Sequence, residues 1–225
     1  KILEGYVPEF DATVVSRILD AGGRIIGKTS CEDLCLSGAS FTNVTGPTLN
    51  PYDSTRTSGG SSSGSAVAVA TGEVDMAIGN DTGGSVRIPS SWCGLAGLKP
   101  TFGLVPYTGA SALENTLDHI GPIAKSVEDC ALLLEVIAGF DEGKDPRQFA
   151  SIQVPEYSKL LLNAITGKKV GLIKEGFEGC EPDIASHVTD AAFTLRRLGA
   201  EVEEISLPMH SEGYKRTCNK DLAKG

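Results

Sequence analysis

Two glycine–serine turns, set a fixed distance apart, most constrain how this chain can fold. The first ends residues 50–65, NPYDSTRTSGGSSSGS, and the second is Asp81-Thr82-Gly83-Gly84-Ser85-Val86-Arg87-Ile88-Pro89. Composition such as that of 50–65 usually marks a flexible linker. Here it feeds AVAVATG (66–72), a compact run of small residues suited to a buried helix. VDMAIG (74–79) then reads as a buried strand that runs into the second turn. Ser61 and Ser85 are 24 residues apart (85 − 61), with one helix and one strand expected between them. A serine loop opening onto a helix can aim backbone N–H groups at an anion.

The rest of the chain alternates helices and strands. DATVVSRILDA (11–21) has helical spacing, with Asp11 as N-cap and Gly22-Gly23 as stop, and RIIGKT (24–29) reads as a short buried strand. GLAGLKPTFGLVP (94–106) is turn-rich with short strands expected. Residues 126–138, SVEDCALLLEVIA, form a helix capped by Ser126, with Asp129 in a capping-box-like position and Gly139 as its end. After a segment with one short helix at 156–165 come a strand (168–175), a helix (182–198) and a strand (200–208). On the second helix Ile184, Val188, Ala191, Ala192 and Leu195 are expected to point inward. Strands alternating with helices imply an α/β protein with a largely parallel sheet. Residues 209–225 read as an irregular tail.

Gly22-GRII-Gly27-Lys28-Thr29 matches the phosphate-binding G-x4-G-K-[ST] pattern in letters only. That mechanism needs a strand before the first glycine and a helix after the lysine, the reverse of the order here. The net charge of −9 and the absence of a basic stripe argue against a nucleic-acid binder. No apolar run reaches the ~18 residues of a membrane span. The opening residues lack a basic-then-apolar leader pattern, so a cytoplasmic protein is expected. The six cysteines are irregularly spaced and read as free thiols; Cys31 and Cys35, four apart, lack a second ligand pair, so no metal is expected.

The second turn suggests chemistry. Two glycines let the backbone turn sharply, so that N–H groups converge on one spot beside a serine hydroxyl, as in an oxyanion hole next to a nucleophile. A nucleophilic serine needs a base. The chain has only His119, His187 and His210; His119 in TLDHIGP is the best placed, yet no Ser-His-Asp triad is compelling and there is no G-x-S-x-G elbow. The residues by themselves leave an α/β domain with serine-hydrolase potential.

GGSSSGSAVAVATG, then GNDTGGSVRIPSSWCGLAGLKPTFGLVP, then LDHIGPIAKSVEDCALLL resemble the amidase-signature family, and the resemblance runs from about residue 10 to 208. It implies an α/β fold whose mixed central sheet is covered by helices on both sides, present here as a partial domain over 1–208. It also implies acyl transfer by a Ser–cis-Ser–Lys triad without a cofactor. Carried over by motif, Ser85 resembles the nucleophile and Ser61 the bridging serine. Thr82, Gly83 and Gly84, with the N–H of Ser85 itself, resemble the oxyanion-hole donors, and Ser62, Asp81 and Arg87 resemble supports. The family's lysine lies in a V-K-D-like motif several tens of residues before the bridging serine, which places it ahead of Lys1. Lys28 and Lys99 occupy other family positions, and the family's C-terminal portion is also expected to lie outside the chain.

The resemblance implies release of ammonia from a small carboxylic amide through an acyl-enzyme on Ser85, with PTFGLVPYTGASALENTLDHIGP closest in appearance to bacterial nitrile-pathway amidases. Two alternatives stand beside it. One is a non-catalytic fragment or pseudoenzyme. The other is the glutaminase subunit of a tRNA-dependent amidotransferase, a branch that tends to an R-Y-G-like stretch where this chain has Pro106-Tyr107-Thr108-Gly109. The expected partner is a small amide, with nucleic acid only in the amidotransferase reading, no membrane, and self-association through an uncovered sheet edge.

Overall fold

A computed structural model describes residues 4–149, 152–210 and 212. The described chain divides into two compact units, Lys1–Leu161 and Leu162–Gly225. Of the tail expected at 209–225, all but Met209, His210 and Glu212 lie outside the described residues.

The first unit is built on a three-stranded antiparallel sheet in the order β1-β3-β2, made of β1 (Met76–Asp81), β3 (His119–Ala124) and β2 (Ala96–Gly97). Its register runs from Met76 opposite Ala124 to Asp81 opposite His119. Alternate side chains of a strand leave on opposite faces. Met76, Ile78 and Ile120 accordingly join one apolar cluster, with Val14 of helix α1 (Thr13–Asp20) and Leu133, Leu134 and Ile137 of helix α4 (Val127–Ile137). Ala77 and Ile123 join the other, with Val69 of helix α2 (Ser63–Thr71) and Val86 just before helix α3 (Arg87–Trp92). Helices therefore cover both faces. Val69, Val86 and Ile123 are fully buried, each contributing roughly 1.5–3 kcal/mol of apolar transfer.

The largely parallel sheet expected from the sequence is not the one formed here. β1 is followed by a turn, α3 and a long connection before β3 returns antiparallel beside it. The TLDHIGP segment, read for its histidine, leads into that central strand, which begins at His119. β1 also runs two residues beyond the expected strand, because Asn80 and Asp81 pair with Ile120 and His119.

Helix α1 starts without Asp11 as its cap: the Thr13 N–H donates to the Thr108 carbonyl at 3.2 Å and the Thr13 hydroxyl to Asp141 at 2.9 Å. Arg17 donates to the Ile137 and Phe140 carbonyls, tying α1 to the end of α4. α4 is capped as expected by the Ser126 hydroxyl, which accepts from the Asp129 N–H at 3.0 Å. The Asp129 carboxylate accepts a hydrogen bond from the Ser126 hydroxyl instead of closing a full capping box through the backbone. The short helix expected at 156–165 is one turn, α5 (Tyr157–Leu160).

The expected strand at 24–29 does not form. It has no ladder partner among the described residues, and Ile25 and Ile26 are 45% and 62% exposed. Without a partner strand its backbone groups turn to water, so its apolar sequence alone cannot make it a strand.

The second unit is a β-α-β element. Strands β4 (Lys169–Ile173) and β5 (Glu201–Ile205) pair in parallel, linked through helix α6 (Pro182–Arg197). Of the five residues expected to face inward on α6, Ala192 is buried, Leu195 is half-buried, Ala191 is exposed, and Ile184 and Val188 are 51% and 46% exposed. No described helix is long and apolar enough to cross a membrane.

Candidate active site

Asp81 ends β1 and organises the second glycine turn. Its carboxylate is fully buried and accepts from the Gly84 N–H at 2.7 Å, the Val86 N–H at 3.2 Å, the Arg87 Nε at 2.9 Å and the Arg87 Nη2 at 2.9 Å. Burial alone would push this acid up. The Arg87 hydrogen bonds and charge, with the Val86 and Gly84 N–H groups, outweigh it and hold Asp81 below the usual carboxylate range. Arg87 is raised in turn, first through its hydrogen bond to Asp81. Asp81 and Arg87 thus have a plain physical task, holding the backbone that presents Ser85. Gly84 sits at φ +131, and a Cβ there would meet the Ile88 side chain at 2.8 Å.

The first loop reaches the same place by other means. The Gly60-Ser61 peptide is cis. A Cβ on Gly60 would overlap the Ala39 carbonyl oxygen, so only glycine fits. The Gly60 N–H donates to the Gly38 carbonyl at 2.9 Å, and the Ser61 carbonyl accepts from the Glu32 N–H at 3.1 Å. Ser62 joins the two loops: its N–H donates to the Ser85 carbonyl at 3.3 Å, and its hydroxyl exchanges hydrogen bonds with the Asn80 backbone at 3.2 Å. The structure therefore brings together all eight residues singled out from the sequence, on two loops stitched at Ser62. Ser85 is 7% exposed and Ser61 fully buried. Ser61 Oγ has no well-formed hydrogen bond among the described residues. The Cys35 thiol and the Asn80 side chain lie together at that position, the thiol facing both Ser61 and Asn80.

Of the other candidate bases, His119 stands opposite Asp81 in the sheet and is engaged with Lys99. His119 Nδ1 lies 2.5 Å from the Leu117 carbonyl, an arrangement that puts the proton on Nδ1. Nε2 is then the acceptor, facing Lys99 Nζ at 3.1 Å. Burial first, then the Lys99 charge, lowers the affinity of His119 for a proton. Lys99 also donates to the Pro100 carbonyl at 2.6 Å; burial, then the Arg87 charge, lowers its pKa. Lys28 is exposed, as are His187 and His210 in the second unit. No described cluster of three or more His, Cys, Asp or Glu could hold a metal.

Sequence reasoning missed Asp118. Its carboxylate accepts from the Thr82 hydroxyl at 2.5 Å and from the Leu113 and Glu114 N–H groups at 2.7 and 3.0 Å, bracing the far side of the turn. It also missed Tyr107, whose hydroxyl donates to Asn80 Oδ1 at 2.8 Å beneath the Arg147 guanidinium. Both lie inside stretches that carried the family resemblance, but nothing in their local spacing marks a contact reaching back to residues 80–82.

This fold is that of a known family. Its sequence profile, described as Amidase, matches residues 1–222, and the chain belongs to that family. Among relatives, the chain is 48% identical over 210 residues to a glutamyl-tRNA(Gln) amidotransferase subunit of Methanosarcina mazei, covering 92% of this chain and 43% of that protein. The crystal structure of the same-named amidotransferase subunit from Thermotoga maritima superposes with a TM-score of 0.88 at 38% identity, over 96% of this chain and 47% of that one. The native peptide amidase from Stenotrophomonas maltophilia superposes with a TM-score of 0.83 at 36% identity, over 92% and 44%. The chain thus spans a little under half the length of the relatives it matches.

Proposed function

We propose that this chain carries the nucleophile side of an amide-cleaving site, that the amide is glutamine, and that it works with partner subunits, in the manner of the amidotransferase subunits it resembles. The observation that carries the chemistry is the Asp81-anchored turn held against the Ser61 loop through the Ser62–Ser85 backbone hydrogen bond. The choice of glutamine rests on the name shared by similar relatives. Ser85 Oγ attacks the carboxamide carbon while its proton passes to Ser61, which gives its own proton to the lysine base of the family's triad, and the reverse relay returns a proton to the departing ammonia. Gly84 serves the shape of the turn, its N–H being held by Asp81; the Thr82, Gly83 and Ser85 N–H groups receive the oxyanion. Water then clears the acyl group from Ser85. The family's third partner is a lysine. Lys28 is exposed and Lys99 is bonded to Pro100 and His119, so neither is assigned that role.

A second reading, a hydrolase of small amides, is favoured by Pro106-Tyr107-Thr108-Gly109 standing where the amidotransferase branch tends to an R-Y-G-like stretch, and by the likeness to the peptide amidase. One experiment separates them: ammonia release by the 225-residue chain from glutamine and from a panel of simple amides, with Ser85→Ala as the blank. Release from glutamine supports the first reading, and release from simple amides alone supports the second. A folded chain that releases nothing above the blank shows that the residues present do not suffice for turnover and leaves the non-catalytic reading for the chain by itself.

A further inference from the structure

Residues 31–35 make a tight turn against the Ser61 loop. The Cys35 N–H donates to the Glu32 carbonyl at 2.9 Å, and Leu34 and Cys35 take left-handed φ values of 47° and 62°. The turn is fixed at Glu32, whose N–H holds the Ser61 carbonyl at 3.1 Å and whose buried carboxylate accepts the Thr42 hydroxyl at 2.8 Å. With its middle pinned, the turn brings its two end thiols beside one another: Cys31 is exposed, and Cys35 is half-buried on the side of Ser61 and Asn80. Neither thiol has a task in the amide chemistry.

We propose that Cys31 and Cys35 form a peroxide-sensitive dithiol, with Cys31 as the attacking thiolate and Cys35 as the resolving thiol, closing a disulfide beside Ser61. Redox-sensing cysteines are solvent-accessible, have thiolate character and stand next to a resolving cysteine. The hydrogen bond from Cys35 lowers the Cys31 thiol to about 7, against burial and the neighbouring Glu32 and Asp33 charges, which push it up. The oxidant is hydrogen peroxide. The Cys31 thiolate attacks one peroxide oxygen, the O–O bond breaks, and Cys31 becomes a sulfenic acid as hydroxide departs and takes up a proton. Cys35 sulfur then attacks the sulfenic sulfur, the S–O bond breaks, and a second water leaves with the Cys35 proton. Two thiols have lost two electrons to the peroxide, and a dithiol reductant reverses the change.

The test is to treat the reduced 225-residue chain with a small excess of hydrogen peroxide, block the remaining thiols, and read intact mass and peptide maps. The expected result is the loss of two hydrogens, with Cys31 and Cys35 alone protected from alkylation and recovered by dithiothreitol. In Cys35→Ser, Cys31 is expected to stop at a sulfenic acid that dimedone traps. At neutral pH, Cys31 in the unoxidised chain should alkylate about threefold faster than free cysteine, its larger thiolate fraction being partly offset by weaker nucleophilicity. Thiols 31 and 35 both still alkylatable after a treatment that oxidises free cysteine, a bridge mapped to another pair, or Cys31 overoxidised without bridging would each overturn the proposal.

Discussion

The two serine loops meet at one place but are held there by different physics. The 81–89 turn is held by charge: one buried carboxylate gathers two backbone N–H groups and a guanidinium within 3.2 Å. The Ser61 loop has no charge of its own. Backbone bonds to Gly38 and Glu32, and the absence of any side chain at residue 60, hold it in place. The 81–89 turn is therefore sensitive to protons, whereas the Ser61 loop is sensitive to volume. The split suits the proposed chemistry, in which an oxyanion site needs fixed dipoles and a proton-relaying hydroxyl, the part proposed for Ser61 Oγ, must stay free to change partners.

The largest effect separates the two serines. Ser85→Ala should reduce ammonia release to background in any form of the protein that cleaves amides; retained release would show that the anchored turn is not the nucleophile's seat. Ser61→Ala should lower turnover by roughly two to four orders of magnitude, the usual span of general acid–base help. An unchanged rate would reduce the first loop to a binding element.

On stability, Asp81→Ala should cost about 3 kcal/mol in urea unfolding, because it removes the buried partner of Arg87 and leaves the Gly84, Val86 and Arg87 N–H groups without their acceptor. The same residue sets a pH dependence. Its folded pKa lies below the ordinary value near 4, so its contribution is complete above that pH and is lost as pH falls through the folded value. Asp81→Asn should flatten the acid limb of stability against pH, whereas Ser61→Ala should leave it unchanged. The smallest effect is Ser62→Ala, about 1 kcal/mol for hydrogen bonds with the Asn80 backbone. A null result there would mean that the Ser62 N–H bond to Ser85 alone stitches the loops.

What the sequence disclosed follows the same division. Glycine turns, the buried helix read from 66–72 and the Ser126 cap are local, and each is readable from a few adjacent residues; the parallel β4-β5 pair spans 32 positions (201 − 169) and follows from the alternation of strand and helix. The eight site residues were recognisable because both loops carry a family's motif letter by letter. Asp118 and Tyr107 were not legible, since their task is a contact with residues about 30 positions away (Asp118 with Thr82, Tyr107 with Asn80). The strand expected at 24–29 failed for the opposite reason. Its apolar letters report what the segment could pair with, and no described strand pairs with it. The antiparallel sheet was misread because alternation of helix and strand does not reveal the direction in which β3 returns.

Gly60 has a consequence for how this protein can change. With the Ala39 carbonyl occupying the space where any side chain would begin, even the most conservative mutation must move the backbone that carries Ser61. A library randomised at this position should return glycine almost alone, while exposed neighbours such as Thr55 and Arg56 accept many residues. Evolution can therefore adjust this site from its rim, but has no gradual path through its hinge.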